Sequence, residues 1–481
     1  MNPRPILFVL GSLLVALAAG MMIPALVDAF VGNEDWQVFV VSAVATLFIG
    51  MSMMLANSAR GQGLSTREAF LMTTLIWVVL PLFSALPFMF STLQMTFTDA
   101  YFEAISGITT TGSTVISGLD SLPPGILLWR GILQWLGGLG VIVMTISLLP
   151  MLRVGGMQLF KVEAFDTQGR NLPRAAQISG GITVVYLALT GIWTLALYLA
   201  GMTGLDAVVH AMTTIATGGY STHDLSIGHY DSTAIDWIVT AGMAVGGVPF
   251  LLILKEVTGH PGALARDQQV RAYALLLLAA TLVCFLAVWL PGRMDAPIAL
   301  RECAFTVVSI MTGTGFATTD YTQWGMLPVA LVFFLTFIGG CAGSTACGIK
   351  VFRFQVLFAA ANVQLRRLLQ PHAVIVASYN QRPVSDEVFS SVLSFFFLFG
   401  VLFVLLVLGL SLLGLDFVTA LSSAATAMAN VGPGLGPVVG PAGNFLGLPD
   451  AAKWMLAAGM LLGRLELFTV LVLFTRGFWK G

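Results

Sequence analysis

The feature that most constrains this chain is the recurrence, from one end to the other, of long stretches with almost no charged residues. An apolar stretch of about 18 or more residues is long enough to cross the hydrocarbon core of a bilayer as a helix. Of the 481 residues, 57% are hydrophobic and only 9% are charged. This pattern excludes the ordinary soluble classes and predicts an all-α polytopic membrane protein.

Ten stretches have the length and hydrophobicity of a transmembrane helix. They cover residues 4–30, 36–56, 68–90, 126–150, 178–201, 233–255, 271–290, 326–346, 389–413 and 451–475. The first is too long for the apolar core of a cleaved signal peptide, so we interpret it as a retained span. Other apolar segments, of about 10 to 14 residues, lie between some of these stretches and are too short to cross.

The basic residues predict the orientation of the spans. One side of the membrane holds 17 of the 22 Lys and Arg residues if it contains both chain ends and the loops at 56–67, 151–177, 255–271 and 350–388. The other side then holds Arg130, Arg293, Arg301 and Lys453. Because the basic-rich side is normally cytoplasmic, both termini are predicted to be cytoplasmic. The formal net charge of −1 argues against nucleic acid as a partner.

Four glycine-containing runs recur along the chain at a regular period. They read ITTTGSTV at 108–115, IATGGYSTHD at 215–224, MTGTGFATTD at 311–320 and NVGPGLGP at 430–437. Alignment puts four glycines in register, at intervals of 107, 96 and 119 residues: Gly112, Gly219, Gly315 and Gly434. Each run follows a short apolar segment and precedes a spanning stretch, which is the pattern of a helix–pore loop–helix repeat.

The predicted fold is therefore a two-helix N-terminal unit followed by four pseudo-symmetric repeats around a central pore. The N-terminal unit covers 1–66, and the repeats cover 67–155, 156–262, 263–365 and 366–481. The short segments of the first three repeats carry an acid 13 residues before the aligned glycine: Asp99, Asp206 and Glu302. An acid at the start of a short helix suits the positive N-terminal end of its dipole, and the negative end then points at the run.

The glycine runs have the composition of a cation filter. Non-helical backbone at membrane depth is tolerated only where protein buries it or where it lines a wet cavity. Glycine permits positive φ, and rings of inward-facing carbonyls can replace the water shell of K⁺. The predicted filter residues are Thr110, Thr111, Gly112, Thr217, Gly218, Gly219, Gly313, Thr314, Gly315, Val431, Gly432, Pro433 and Gly434. The alternative interpretation is that these glycines only kink or pack helices.

At these residues the chain resembles the Trk/Ktr/HKT superfamily of potassium transporters, most closely its bacterial TrkH branch. The resemblance also rests on QWLGGLG at 134–140, GGCAGSTACGIK at 339–350 and MLLGRLELFTVLVLF at 460–474. It implies potassium uptake across the bacterial inner membrane, a K⁺-preferring glycine at position 112, a homodimer, and a cytosolic regulatory subunit that binds NAD or ATP. Gly432 and Pro433 depart from the Thr-rich step of the other runs, which leaves strict selectivity open.

A second glycine-rich segment is the predicted gate. Its small residues make a poor helix, so we expect a mobile loop beneath the filter, as the resemblance also implies. The gate residues are Gly339, Gly340, Gly343, Ser344, Thr345, Gly348 and Lys350, together with Arg464. An arginine inside an otherwise apolar span is costly and usually functional, and we expect Arg464 to repel K⁺ in the closed state. Small-residue packing for the loop and a structural pairing of Arg464 are the alternatives.

Two alternatives to a K⁺-selective channel remain open. A symporter coupled to H⁺ or Na⁺ remains an alternative, as does a member of the same superfamily that does not discriminate Na⁺ from K⁺. The five histidines show no metal-binding spacing, the four cysteines show no paired motif, and no catalytic constellation is evident. We therefore expect no enzyme activity and no cofactor on this chain other than K⁺ in the filter, with Asp224 and Asp320 concentrating cations at the outer mouth.

Overall fold

The computed structural model describes residues 2–57, 65–147, 171–373, 375–380 and 382–480. Its α-helices are Pro3–Val31, Trp36–Ala56, Thr66–Ser84, Leu86–Phe90, Phe97–Ile108, Pro124–Ser147, Asn171–Leu199, Gly204–Ile215, Thr233–Gly246, Phe250–Val257, Ala263–Arg266, Gln268–Trp289, Ala296–Thr312, Met326–Leu335, Val351–Leu369, Asp386–Leu412, Phe417–Ala429, Gly436–Val439, Asp450–Arg464, Phe468–Leu471 and Arg476–Lys480. Single 3₁₀ turns lie at Leu119–Ser121, Ser226–Tyr230, Tyr321–Gln323 and Val472–Phe474. The strands Ser378–Tyr379 and Arg382–Pro383 pair as an antiparallel hairpin.

Within the described residues, seven helices are long and apolar enough to cross a bilayer. Two further helix pairs bend sharply at short breaks, and the total reaches nine if each bent pair is one span. Thr233–Gly246 meets Phe250–Val257 at 98°, and Asp450–Arg464 meets Phe468–Phe474 at 108°. The all-α membrane architecture is thus confirmed, and the count of ten spans stays a prediction.

The predicted span at 326–346 is helical only at its start. The helix Met326–Leu335 has ten residues, and the chain then continues as an irregular, buried segment. The glycines of that segment favour this departure from helical geometry. The predicted end of the span 126–150, the repeat boundary at 155 and most of the loop 151–177 lie outside the described residues.

The first two helices form a closely packed antiparallel pair. A side chain on Gly11 would overlap the backbone of Gly50, and a side chain on Gly50 would overlap the backbone of Gly11. Small residues at such crossings let two backbones approach closely in a membrane. The pair is anchored to the rest of the protein where Asp28 accepts a 2.7 Å hydrogen bond from the backbone N–H of Gly125.

Four short helices lie buried at the centre of the described structure: Phe97–Ile108, Gly204–Ile215, Ala296–Thr312 and Phe417–Ala429. Their N-terminal ends are capped from within, because the Thr96 and Thr203 hydroxyls accept the backbone N–H of Asp99 and Asp206 at 3.2 Å. These caps explain why the two acids lie in the first helical turn. All residues of Phe97–Ile108 after its first two are buried, so the spanning helices enclose it.

In the fourth short helix, the threonine and the aspartate of the cap stand in the opposite order. Asp416 is itself the N-cap and accepts the backbone N–H of Thr419 at 3.0 Å. Asp416 thus matches the capping threonines rather than the acids of the first two repeats, which explains its apparent displacement along the sequence. Each of these short helices ends directly at its glycine-containing run.

Candidate functional site

The four runs adopt one backbone conformation, with left-handed residues two positions apart. The glycine of each run has a positive φ: Gly112 at +87°, Gly219 at +80°, Gly315 at +83° and Gly432 at +97°. The residues two positions earlier do the same: Thr110 at +53°, Thr217 at +49°, Gly313 at +74° and Asn430 at +52°. This alternation turns successive carbonyl groups in a way that a strand or helix does not.

The predicted register of the fourth run was wrong by two residues. Gly432, rather than Gly434, occupies the position of Gly112, and Gly434 does not have a positive φ. The sequence alignment matched the second glycine of GPG, Gly434, to Gly112, whereas in the structure the first glycine, Gly432, has the conformation of Gly112. The reason is that Asn430 takes the left-handed conformation at the end of its short helix and thereby sets where the run begins.

The four runs meet one another in a closed ring. In each case, a side chain on the glycine of one run would collide with, or crowd, the carbonyl oxygen of the residue just before the glycine of the next run. The pairs are Gly112 with Gly218, Gly219 with Thr314, Gly315 with Val431 and Gly432 with Thr111. The last pair closes the ring, because a Cβ on Gly432 would lie 3.0 Å from the Thr111 oxygen.

A cavity of about 80 Å³, open to solvent, lies on the outer side of this ring. Glycines of all four runs line it: Gly112, Gly219, Gly315 and Gly432. Asp224 also lines the cavity, and its two carboxylate oxygens accept the backbone N–H groups of Gly118 and Leu119 at 3.1 Å. Asp320 caps the turn Tyr321–Gln323 by accepting the backbone N–H of Thr322 at 3.0 Å, and its predicted role at the outer mouth stays a prediction.

Side chains that the sequence reasoning did not assign hold the runs in place. Gln134 donates a hydrogen bond to the carbonyl of Gly218 at 2.5 Å and accepts the backbone N–H of Tyr220 at 2.9 Å. Asn430 donates to the Thr111 hydroxyl at 2.9 Å and to the Met460 carbonyl, which ties the fourth run to the first. Both residues lie inside quoted motifs, but nothing in a single motif identifies their distant partners.

A buried ion pair supports the outer ends of the first two runs. Arg130 Nε lies 2.8 Å from Glu103 Oε1, and both side chains are at most 1% exposed. Arg130 also donates to the Ser221 carbonyl at 2.8 Å, while Glu103 accepts the backbone N–H of Val115 at 2.9 Å. The charged pair therefore connects the first short helix to both runs.

The predicted gate loop lies beneath the ring and is held by backbone hydrogen bonds. The loop folds back on itself where Ile338 and Ile349 form a parallel bridge. Thr345 donates from its hydroxyl to the carbonyls of Ile215 and Gly246 at 2.9 Å, so it contacts both the second short helix and the bent span. The remaining gate residues, Gly339, Gly340, Gly343, Ser344 and Gly348, lie in the same loop, and Lys350 donates to the Ala346 carbonyl.

Arg464 reaches this loop from the last bent span. Its guanidinium donates to the Thr345 carbonyl at 3.2 Å and lies 2.6 Å from the Cys347 sulphur. The residue is 6% exposed, and Nε and the second terminal nitrogen of Arg464 have no hydrogen-bond partner in the described structure. Glu466, two residues further along the chain, pairs with Arg353.

A family model described as TrkH, cation transport protein, matches residues 35–479. The chain belongs to this family. It is 45% identical over 478 residues to the Trk system potassium uptake protein TrkI of Halomonas elongata, covering 99% of this chain and 97% of the relative. It is 38% identical to the Trk system potassium uptake protein TrkH of Escherichia coli, with 100% of both chains covered. The crystal structure of the potassium transporter TrkH from Vibrio parahaemolyticus is similar to this chain over 100% of both, with a TM-score of 0.92 and 37% identity.

Membership of the TrkH family agrees with the described helices, and the protein is an integral membrane protein. The predicted family resemblance is therefore confirmed over the full length of the chain. The roles of the individual filter and gate residues stay predictions.

Proposed function

We propose that this protein takes up K⁺ across the cytoplasmic membrane through a channel-like pore whose filter is the ring of four runs. The observation that carries the proposal is the closed ring of contacts, in which each run presents a carbonyl directly against the glycine of its neighbour. Four runs that each have left-handed residues two positions apart can direct their carbonyl oxygens at a common axis. Such oxygens can replace the hydration shell of a monovalent cation.

The four short helices add a second attraction for cations. Each ends at its run, so the partially negative C-terminal ends converge on the ring. An acid or an acidic cap lies at the opposite, outer end of each helix, where it compensates the positive end of the dipole: Asp99, Asp206, Asp295 and Asp416. The prediction of Glu302 for this position in the third helix was wrong, because that helix begins earlier, at Ala296, and Glu302 lies in its middle. An anion at the ring would be repelled by all four helix ends, whereas a cation would be stabilised.

The gate in this proposal is the glycine-rich loop together with Arg464. Arg464 binds the loop through the Thr345 carbonyl, and the Thr345 hydroxyl in turn donates to Ile215 at the end of the second short helix. A positive charge buried beneath the filter opposes the passage of K⁺ by simple Coulomb repulsion. Opening requires the loop to leave its contacts with Ile215 and Gly246, which is a discrete change rather than gradual bending.

The energy source in this proposal is the membrane potential. An inside-negative potential supplies roughly 2.3 kcal/mol per charge for each 100 mV, which drives accumulation without a chemical step. Both termini are cytoplasmic in this arrangement, and the protein resides in the bacterial inner membrane.

We also propose that the chain works as a homodimer with a cytosolic regulatory subunit that binds NAD or ATP. The names of the similar proteins describe parts of a Trk system, which supports further components. The helix Val351–Leu369 follows the gate loop directly and exposes Leu368 and Leu369 by 72% and 83%. A partner that docks on this helix would pull on the gate segment that immediately precedes it.

The decisive experiment is flux into liposomes that contain only the purified protein. Under an imposed inside-negative potential, we expect uptake of the K⁺ analogue Rb⁺ that saturates with Rb⁺ and is independent of a pH gradient or of Na⁺. Uptake that requires a proton or sodium gradient at constant potential would contradict the channel-like mechanism and favour a symporter. Equal Na⁺ and Rb⁺ flux would contradict K⁺ selectivity.

A further inference from the structure

The structure brings Asp120, His223 and His229 together at the outer surface, although their spacing in sequence indicates no metal motif. Nδ1 of His223 lies 2.5 Å, and Nδ1 of His229 3.7 Å, from Oδ1 of Asp120. The two imidazole rings stack with centroids 3.6 Å apart and planes at 3° to one another. One ligand atom from each of the three residues lies within 4.8 Å of the other two.

We infer that these three residues form a Zn²⁺ site on the outer face, beyond the transport function proposed above. Imidazole nitrogen and carboxylate oxygen are the N and O ligands that Zn²⁺ prefers, at roughly 2.0–2.2 Å. Because the lone pair of each imidazole lies in its ring plane, the His229 ring must rotate out of the stack before both Nδ1 atoms can reach one ion, and its 43% exposure leaves room for that rotation. Three protein ligands leave a fourth tetrahedral position for water.

The loops that carry the ligands are held in place before any metal binds. Asp224 accepts the backbone N–H groups of Gly118 and Leu119 at 3.1 Å, which fixes the turn that carries Asp120. The Tyr230 ring lies nearly perpendicular to both imidazole rings, with its centroid 5.3 Å from that of His223 and 5.2 Å from that of His229. The site therefore joins the outer loops of the first and second repeats, each held by its own contacts.

The surroundings of His223 also suit a metal ligand. A metal on Nδ1 requires the ring proton on Nε2, and Nε2 faces Oδ2 of Asp206 at 3.6 Å. Nε2 is buried and has no hydrogen-bond partner in the described structure, so the carboxylate is the group that can orient this tautomer. Metal-bound histidines commonly have such a carboxylate behind them. Hydrogen bonds from Thr203 and Thr222, at 2.7 and 2.6 Å, hold Asp206 in place.

The site is open to the outside and adjacent to the pore entrance. The side chains of His229 and Asp120 are 43% and 49% exposed, so an ion can reach them from the outer solution. His223 lines the same cavity as Gly112 and Gly219. A bound Zn²⁺ therefore places positive charge near the path that the proposed function assigns to K⁺, and we expect it to slow entry.

The test measures binding directly and does not depend on transport. Purified protein in metal-free detergent buffer is titrated with Zn²⁺ by calorimetry, and with Co²⁺ by its visible absorption. We expect one Zn²⁺ per chain with micromolar affinity, and His229→Ala should weaken binding by at least about tenfold. The matched control is His260→Ala, since His260 lies in an exposed turn away from the cluster. Absence of Zn²⁺ binding, or equal affinity in the His229 variant, would overturn the site.

A second arm asks whether the site acts on the pore. Outer Zn²⁺ should reduce Rb⁺ flux in wild-type liposomes and in the His260 variant, each relative to its own metal-free flux. Asp120→Asn and His229→Ala should shift the inhibiting concentration upward by the same factor as their binding. Inhibition that is unchanged in both variants would show that Zn²⁺ acts elsewhere and would overturn the assignment.

Discussion

Replacing Gly219 by serine tests the ring of runs most directly. At φ +80°, a residue with a side chain costs about 1–2 kcal/mol in any protein. The Cβ of the new residue would also overlap the carbonyl oxygen of Thr314. To restore an ordinary contact, that carbonyl must move by more than about 1 Å, which takes it out of the ring of four.

Gly292 supplies a matched control for the backbone cost. It has a φ of +72°, and no heavy atom lies within 4 Å of the position of an added Cβ. Gly292→Ser therefore carries a similar conformational cost without disturbing a neighbour. Any difference in ion discrimination between the two variants therefore results from the overlap with the Thr314 carbonyl.

The assay compares Rb⁺ with Na⁺ flux in liposomes and growth of a K⁺-uptake-deficient strain on low K⁺. We expect Gly219→Ser to lower the discrimination between Rb⁺ and Na⁺ by at least tenfold, which corresponds to about 1.4 kcal/mol. Gly292→Ser should lower thermal stability slightly and leave discrimination at the wild-type level. Wild-type discrimination in Gly219→Ser, or an equal loss in both variants, would refute the proposed filter.

Three further predictions follow from other contacts. Arg464→Ala should raise the Rb⁺ leak in liposomes without regulatory subunit, because it removes the charge that binds the gate loop. Arg464→Lys keeps a positive charge and should leak less than Arg464→Ala. Equal flux in the wild type and both variants would exclude the gate role. Gly432→Ser should impair discrimination more than Gly434→Ser, and the reverse order in the same flux assay would restore the sequence-based register. Arg130→Met should destabilise the protein by about 3–5 kcal/mol by leaving the Glu103 carboxylate buried alone, and the double variant with Glu103→Leu should recover much of the loss in detergent melting experiments.

The spans and the short helices were predictable because their signals are local. Hydrophobicity over about 20 residues decides whether a segment can cross a bilayer, and that property needs no knowledge of neighbours. The acids Asp99 and Asp206 were likewise readable as first-turn residues, since a cap acts within a few positions. The recurrence of the glycine runs is the basis of the predicted four repeats.

The register of the fourth run could not be read in the same way. It depends on Asn430, whose side chain bonds to Thr111 and Met460, 319 and 30 residues away. Proline at 433 and the second glycine at 434 made the wrong alignment equally good in sequence. Only the meeting of the first and last runs distinguishes the two possibilities.

The supporting side chains were missed for a related reason. Gln134 contacts a carbonyl 84 residues away, and Arg130 was counted only as a charge on the outer side of the membrane. The histidine cluster joins residues 103 apart, so no motif spacing could reveal it. The sequence predicts which segments are unusual, whereas tertiary contacts decide which of their side chains touch.

The closure of the ring between its first and last members has a consequence for biosynthesis. The hydroxyl of Ser113 donates to the Gly432 carbonyl at 2.9 Å across 319 residues, and Lys453 reaches Asp99 at 2.5 Å from the opposite end of the chain. A ribosome that adds about 5–20 residues per second needs roughly 16 to 64 s to synthesise the 319 residues between the two partners of the first contact. During that interval the first three runs are synthesised while the fourth, which closes the ring, is missing, so the nascent protein must shield their polar backbone by other means until its final helices arrive.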